Sequence, residues 1–227
     1  MLFRRARQVL QTEGLIALLR RVFALVAHYL LSPFYKNYAI CYLYEADITD
    51  ILKALEGKTE ADFAPRLQNL TGRAVFSNHE ADEMEDAGLE FRSYNSSYRK
   101  WLDKGAAAYC IFIDKEFAHI VWTAMNKEAK KMIDPIPYKV DFANNEVCIS
   151  EIWTNPKYRA KGLLTYSLFM GLQILKERGI LKCKECIPIN RAVIQKAAVL
   201  FGSRVYAEGQ YLRILWWKIW KEKPRLG

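Results

Sequence analysis

The chain has 227 residues, of which 52% are apolar and 26% charged, with a formal net charge of +9. That length and apolar content bound it to one sizeable core plus an added segment. The charge excess sits at the two ends, +5 over residues 1–36 and +4 over residues 213–227, so the neutral middle has no continuous basic track for a nucleic acid.

Within that middle, residues 151–212 carry +6 and residues 37–150 carry −6, so an acidic ligand favours the second half. The five cysteines, Cys41, Cys110, Cys148, Cys183 and Cys186, form no even framework and lie mostly in apolar runs. They read as reduced, buried thiols of a cytoplasmic protein. No cleavable signal sequence is evident at the basic start.

Residues 3–31 read as a helix relieved at Gly14 and stopped by Ser32-Pro33. At 100° per residue, Arg7, Glu13, Arg20, Arg21 and His28 share one side and a wide apolar face takes the rest. The apolar run from Val22 to Ala27 is far short of the ~20 residues of a membrane span. Two readings stay open for this basic amphipathic extension, residues 1–36: a helix packed on the core or in a homodimer, and a helix lying on an anionic membrane surface at its cytoplasmic face.

The remaining residues, 37–227, form the expected domain. Tyr38 to Tyr44 reads as a strand, Thr49 to Leu55 as a short helix and Gly57 to Asp62 as a loop. His79 to Ala87 is an acidic helix with Ser77 or Asn78 as its cap and Gly88 as its stop. His79-Glu80 lacks the second histidine of a zinc-helix pattern, so no metal is expected. Ser96 to Leu102 is helical, and Ala106–Ile113 and Phe117–Ala124 form a hairpin. Residues 125–146 read as an extension containing Asp134-Pro135-Ile136-Pro137, with a turn at Asn144-Asn145.

In the strand from Val147 to Thr154, alternation puts Val147, Ile149, Glu151 and Trp153 on one face. An acid inside an apolar strand is costly unless paired or used. Glu151 is therefore either a salt-bridged or solvent-facing carboxylate, or a working base.

The stretch that follows, Asn155-Pro156-Lys157-Tyr158-Arg159-Ala160-Lys161-Gly162-Leu163-Leu164, is a basic, glycine-containing turn opening a long helix from Leu163 to Arg178. Backbone N–H groups and the helix dipole there favour a phosphate. A strand from Ile180 to Ile189, then Asn190, another helix, Phe201-Gly202 and two short strands complete the order. Cys183-x-x-Cys186 has no second pair, and positions i and i+3 of a strand face opposite ways, which favours structural cysteines over a zinc site.

The basic turn resembles the acyl-CoA motif of the GCN5-related N-acetyltransferases (the GNAT superfamily), Arg/Gln-x-x-Gly-x-Gly/Ala. Arg159 and Gly162 match it, while Leu164 stands where a small residue is usual. The resemblance covers the last half of the chain well and the first half in outline. It implies an α+β fold with a central, mostly antiparallel sheet flanked by helices, with the cofactor half at residues 146–217. It also implies that the strand carrying Glu151 splays from its neighbour and receives an acyl-CoA on its backbone. Glu151 is then the general base. Trp153, Thr154, Arg159, Ala160, Lys161, Gly162, Leu163 and Leu164 hold the cofactor, which Asn190 also reaches unless it simply caps its helix. Relatives often carry a tyrosine on that helix to protonate the departing thiolate, whereas Gln195-Lys196-Ala197-Ala198 offers none and leaves Tyr206, Tyr211 or water.

The implied activity is acetyl transfer from acetyl-CoA to a primary amine of a small molecule, an amino sugar or a glycan precursor made near a membrane. The alternatives are a CoA-binding module without turnover and a peripheral membrane or scaffold protein working through its basic termini. The Trp- and Lys-rich stretch from Tyr211 to Lys221 suits a membrane interface.

Overall fold

The computed structural model describes residues 38–214 and 216–225. The predicted helix over residues 3–31, and with it the whole of the expected extension, residues 1–36, lies outside the described residues. Seven helices are present among the described residues: α1 (Ile48–Ala54), α2 (Glu60–Phe63), α3 (Asn78–Asp86), α4 (Tyr98–Asp103), α5 (Lys127–Ile133), α6 (Leu163–Glu177) and α7 (Ala192–Leu200). The strands are β1 (Tyr38–Asp47), β2 (Leu70–Val75), β3 (Ala106–Ile113), β4 (Glu116–Ala124), β5 (Glu146–Thr154), β6 (Lys182–Pro188), β7 (Arg204–Ile214) and β8 (Trp217–Pro224). They form one mixed sheet in the order β2-β3-β4-β5-β6-β1-β7-β8.

Two compact units divide this chain. The larger holds Cys41–Gly209 and the residues from Glu222 on; the smaller holds, among the described residues, Tyr38–Ile40 and Gln210–Lys221. In the smaller unit Trp216, Trp217 and Ile219 are exposed. The expected basic, aromatic tail is thus a further strand, β8, because Trp217-Lys218-Ile219-Trp220-Lys221 is as well suited to extended structure as to a membrane interface.

In the larger unit the sheet is antiparallel from β2 to β5, β6 runs parallel to β5, and β1 closes antiparallel against β6. One face carries α6, whose Leu168, Phe169, Leu172 and Leu175 pack with Val121, Val147 and Ile149. The reverse face of β3–β5 carries an aromatic layer: Trp122 is fully buried, edge-on to Trp101, and Phe117 stacks on Trp153 at 5.1 Å. Such pairs add about 0.5–1.5 kcal/mol beyond the area they bury.

Local chemistry sets the helix starts. Ser77 Oγ accepts the Glu80 N–H at 3.2 Å, while the Glu80 carboxylate accepts the Phe76 N–H, so α3 begins where a cap was expected. Gly88 and Gly105 end α3 and α4 with φ of +81° and +82°.

The region read as an extension, residues 125–146, holds α5, capped by Asn126 Oδ1 on the Ala129 N–H at 2.9 Å. Its Lys130 lies beside Asp134 and donates to the Ile136 carbonyl, so the Pro135–Pro137 stretch follows the helix instead of replacing it. The loop expected at Gly57 to Asp62 contains the start of α2, closed by a capping box between Thr59 and Asp62.

Candidate active site

The sheet opens beyond Ile149. That residue is the last of β5 to pair with β6, opposite Glu185, and from there the two parallel strands diverge. The remaining half of β5 keeps its ladder with β4 alone: Ile152 opposite Val121, Trp153 opposite Ile120, Thr154 opposite His119. Main-chain groups of Ile152–Thr154 that point away from β4 therefore have no strand partner and face a cleft.

The cleft is about 800 Å³, walled by the end of β5, the turn before α6 and one side of α7. Its lining includes Trp153, Thr154, Arg159, Ala160, Gly162, Leu163 and Leu164, which brings together seven of the predicted cofactor residues. Lys161 is exposed in the same turn but is not part of the lining. Asn190 is also outside it, exposed in the turn that leaves β6. It does not cap α7 either, because Arg191 occupies the N-cap position, with no side-chain cap bond. Arg191 and Lys196, which the sequence reading passed over, reach the cleft instead.

The turn is built for an anion. Asn155 Oδ1 accepts the Lys157 N–H at 3.1 Å and opens a 3-10 turn over Pro156–Tyr158. Glu116 anchors it from the β3–β4 hairpin by accepting from the Tyr158 hydroxyl at 2.6 Å and pairing with Lys157. Both contacts hold the Glu116 carboxyl below the usual carboxylate range. Ala160 and Gly162 follow with φ of +58° and +85°, and Gly162 is the N-cap of α6 with no side-chain cap bond. The first amides of α6, at Leu163, Leu164 and Thr165, have no acceptor one turn earlier, and the positive end of a four-turn helix stands behind them.

Leu164, at the third motif position, is partly buried, packing against the core cluster as it lines the cleft. Three cations, Arg159, Arg191 and Lys196, share the cleft. A cleft of this size, ending in uncapped amides and cations at one end and unpaired strand backbone at the other, suits an extended ligand with an anionic end.

Glu151 departs from simple alternation. Ser150 stands opposite Trp122 and Ile152 opposite Val121, so Glu151 is the extra residue of a β-bulge, at φ +42°. The bulge reverses the phase of everything after it. Ile149 and Ile152 both pack toward α6, while Trp153 turns to the opposite face against Phe117 and Tyr94. The expected common face of Val147, Ile149, Glu151 and Trp153 is corrected accordingly. Trp153 meets the cleft through its backbone, with its ring stacked on the far side of the sheet.

The Glu151 residue is exposed, yet neighbouring protein strips enough water from its carboxyl to raise its pKa above the ordinary carboxylate value, helped by Asp134 and opposed by Arg191. Among the described residues no salt bridge holds it, so its carboxyl is open to exchange a proton with a bound ligand, the first requirement of a base.

His119, which composition did not single out, ties the site together. Fully buried, it places Nδ1 at 2.8 Å from Thr154 Oγ1 and Nε2 at 2.8 Å from Ser167 Oγ on α6. Because the Ser167 hydroxyl donates to the Leu164 carbonyl at 2.9 Å, its oxygen accepts from Nε2–H, and Thr154 then donates to Nδ1. Burial pushes the imidazole pKa down to about 3. The end of β5 and the second turn of α6 are thus cross-linked through a neutral ring. The one sequence signal for it was a histidine in an otherwise apolar strand.

Among the described residues no group of three or more potential metal ligands comes together, and no helix is long and apolar enough to cross a membrane. All five cysteines are free thiols, four of them buried.

No protein-family model matches the chain, and no curated protein matches it in sequence. Among solved structures it is similar to a Staphylococcus epidermidis protein of unknown function, at 10% identity and a TM-score of 0.45 over 77% of this chain and 61% of that one. It is also similar to a protein from Novosphingobium aromaticivorans described as a GNAT-family acetyltransferase, at 15% identity and a TM-score of 0.44 over 77% and 63%. A GCN5-related N-acetyltransferase from Kribbella flavida matches at 12% identity and a TM-score of 0.38 over 73% and 52%. This chain therefore spans one half to two thirds of the length of those structures.

The internal evidence is the order of elements: an antiparallel run into β5, a splay from parallel β6, and between them a basic turn opening α6. The fold is α+β, a mixed sheet flanked by helices.

Proposed function

We propose that the protein is an acyl-CoA-dependent N-acyltransferase that moves an acetyl group from acetyl-CoA to a primary amine. One observation carries the reading: the bulge that exposes Glu151 lies directly before the splayed half of β5, whose cleft ends in uncapped, positively charged backbone at α6. Glu151 takes the proton of the incoming amine. The nitrogen then forms its bond to the acyl carbon as the carbon–sulfur bond breaks. The Thr154 N–H, the strand amide after Trp153, polarises the thioester carbonyl, while Arg159 and the α6 amides hold the pyrophosphate. The departing thiolate takes its proton from water in the open cleft, since Gln195-Lys196-Ala197-Ala198 gives α7 no tyrosine.

The acceptor we assign is the amine of a small molecule or of an amino-sugar or glycan precursor. Its delivery near a membrane draws support from the charge of residues 1–36 and 213–227 and from exposed Trp216 and Trp217. Loss of co-sedimentation with anionic vesicles at low salt would remove the membrane part of this reading and leave the chemistry.

The test of the chemistry is calorimetric titration with acetyl-CoA beside Arg159→Glu, followed by thiol release with a panel of amines beside Glu151→Gln. Binding lost in the first variant and turnover lost in the second are expected. A second reading, a CoA-binding module without turnover, is favoured by the missing helix tyrosine; tight binding with no thiol release from any amine would select it.

A further inference from the structure

The helix α7 is held to the sheet by little. Of its nine residues only Ala197 and Ala198 are buried, while Val193, Val199 and Leu200 are exposed. Beneath the two alanines lies an acid. Glu185 stands in the middle of β6, opposite Ile149 of β5 on one side and Tyr44 of β1 on the other, with Cys183 and Ile187 flanking it along the same face. Ala197 packs in one core cluster with Ile149 and Cys183, and Ala198 in another with Tyr44 and Ile187. The neighbours of Glu185 on all four sides thus touch the clusters that α7 closes, and the helix covers the acid.

Glu185 is 6% exposed, and among the described residues no hydrogen bond or ion pair reaches its carboxyl. The titratable groups beside it on that face are the Tyr44 phenol and the Cys183 thiol, both kept protonated by burial. Tyr42, with the Arg225 guanidinium over its ring at 5.0 Å, stands further along β1. No charge on β5, β7, α6 or α7 acts on the carboxyl, and the α7 cations Arg191 and Lys196 face the cleft instead. An ionised carboxylate in this place has no partner, so the packing accepts the neutral acid. Burial alone pushes its pKa up to about 7.

We propose that Glu185 is a latch for α7: its neutral form lets the helix rest on the sheet, and its ionisation releases the helix and opens that wall of the cleft. The proton passes to water. Once α7 has lifted, the carboxyl is solvated and returns to about 4.3, so the closed form holds the proton more tightly than the open one. Opening is therefore suppressed in acid, grows as the pH rises from about 4.3 to 7, and levels off above. The latch concerns the chain's own helix and stands whether or not the cleft takes an acyl-CoA.

The test is amide hydrogen exchange, read by mass spectrometry on the ligand-free full chain from about pH 5 to 8, with each rate corrected for the intrinsic pH dependence of exchange. Between pH 5 and 7 the opening constant of residues 192–200 should rise about fortyfold, while the β3–β4 hairpin keeps its protection. Glu185→Gln has the same shape and no titration, and it should abolish the rise. Glu185→Met makes the same comparison with an apolar side chain should the glutamine disturb the packing. The proposal is overturned if α7 in the wild type follows the same pH dependence as in the variants. It is overturned equally if the rise falls on the hairpin as much as on α7, since Glu185 would then weaken the whole fold and not free one helix.

Discussion

Replacing His119 by glutamine isolates one buried titration. In the native state the imidazole pKa is about 3, because the ring has no access to water and its neighbours are hydroxyls, not carboxylates. In the unfolded chain it returns to about 6.5. Between those values the unfolded state binds a proton that the native state refuses, so stability rises with pH and the loss on acidification begins below about pH 6.5. At about 1.36 kcal/mol per unit, the term is close to zero at pH 7, about 3 kcal/mol at pH 4, and saturates near 5 kcal/mol below pH 3.

Glutamine does not titrate, yet its amide can still accept from Thr154 and donate to Ser167. Near pH 7 we expect the variant to be about 1–2 kcal/mol less stable, from imperfect geometry in a buried site. The measurement is urea unfolding of both proteins across about pH 4–8, with the difference in free energy plotted against pH, so that the shared carboxylates cancel. The wild-type advantage should shrink and reverse as the pH falls, moving by about 3 kcal/mol over that range. Parallel curves would mean that His119 titrates alike in both states. The neutral cross-link between β5 and α6 would then be wrong.

Two further outcomes bear on the cleft. Gly162→Ala should cost about 1 kcal/mol in thermal or urea unfolding, since the position holds φ +85° while the new Cβ would meet only Pro65, at 3.8 Å; acetyl-CoA affinity should fall with it as the turn adjusts. The acid limb of the thiol-release rate should lie above the ordinary carboxylate range, because Glu151 is partly desolvated, and Arg191→Gln should move that limb to still higher pH by removing a charge that favours the carboxylate; an unmoved limb would take Glu151 out of the base's role.

What the sequence made legible follows the strength of local signals. The hairpin of β3 and β4 announces itself by two long apolar runs, and α6 by a turn, a glycine and fifteen residues of amphipathic helix. The six residues of β2, Leu-Thr-Gly-Arg-Ala-Val, carry a glycine and an arginine and give no alternation; they are a strand because β3 offers an edge and Tyr109 needs Gly72 beneath it. The partners of β6 were equally hidden, since β1 joins it from 130 or more residues away and no local pattern encodes that register. Arg191 was passed over for Asn190 because the resemblance points to a residue type after the strand, while reach into a cleft depends on where the helix begins.

The bulge at Glu151 shows why the site itself escaped the alternation rule. With regular pairing, Glu151 and Trp153 would point into the α6 core, the carboxylate buried without a partner, and Thr154 would turn away from His119. One extra residue exposes the acid, sends the indole to Phe117 and brings the threonine to the imidazole. That phase change holds a side chain other than glycine at φ +42°, a conformation that costs of order 1 kcal/mol or more. Glu151→Gly should therefore be more stable than Glu151→Ala by about 1 kcal/mol in urea unfolding, with turnover lost in both. Equal stabilities would mean the strand relaxes out of the bulge when the acid is removed. The carboxylate, and not the ladder with β4, would then be what sets the shape of β5.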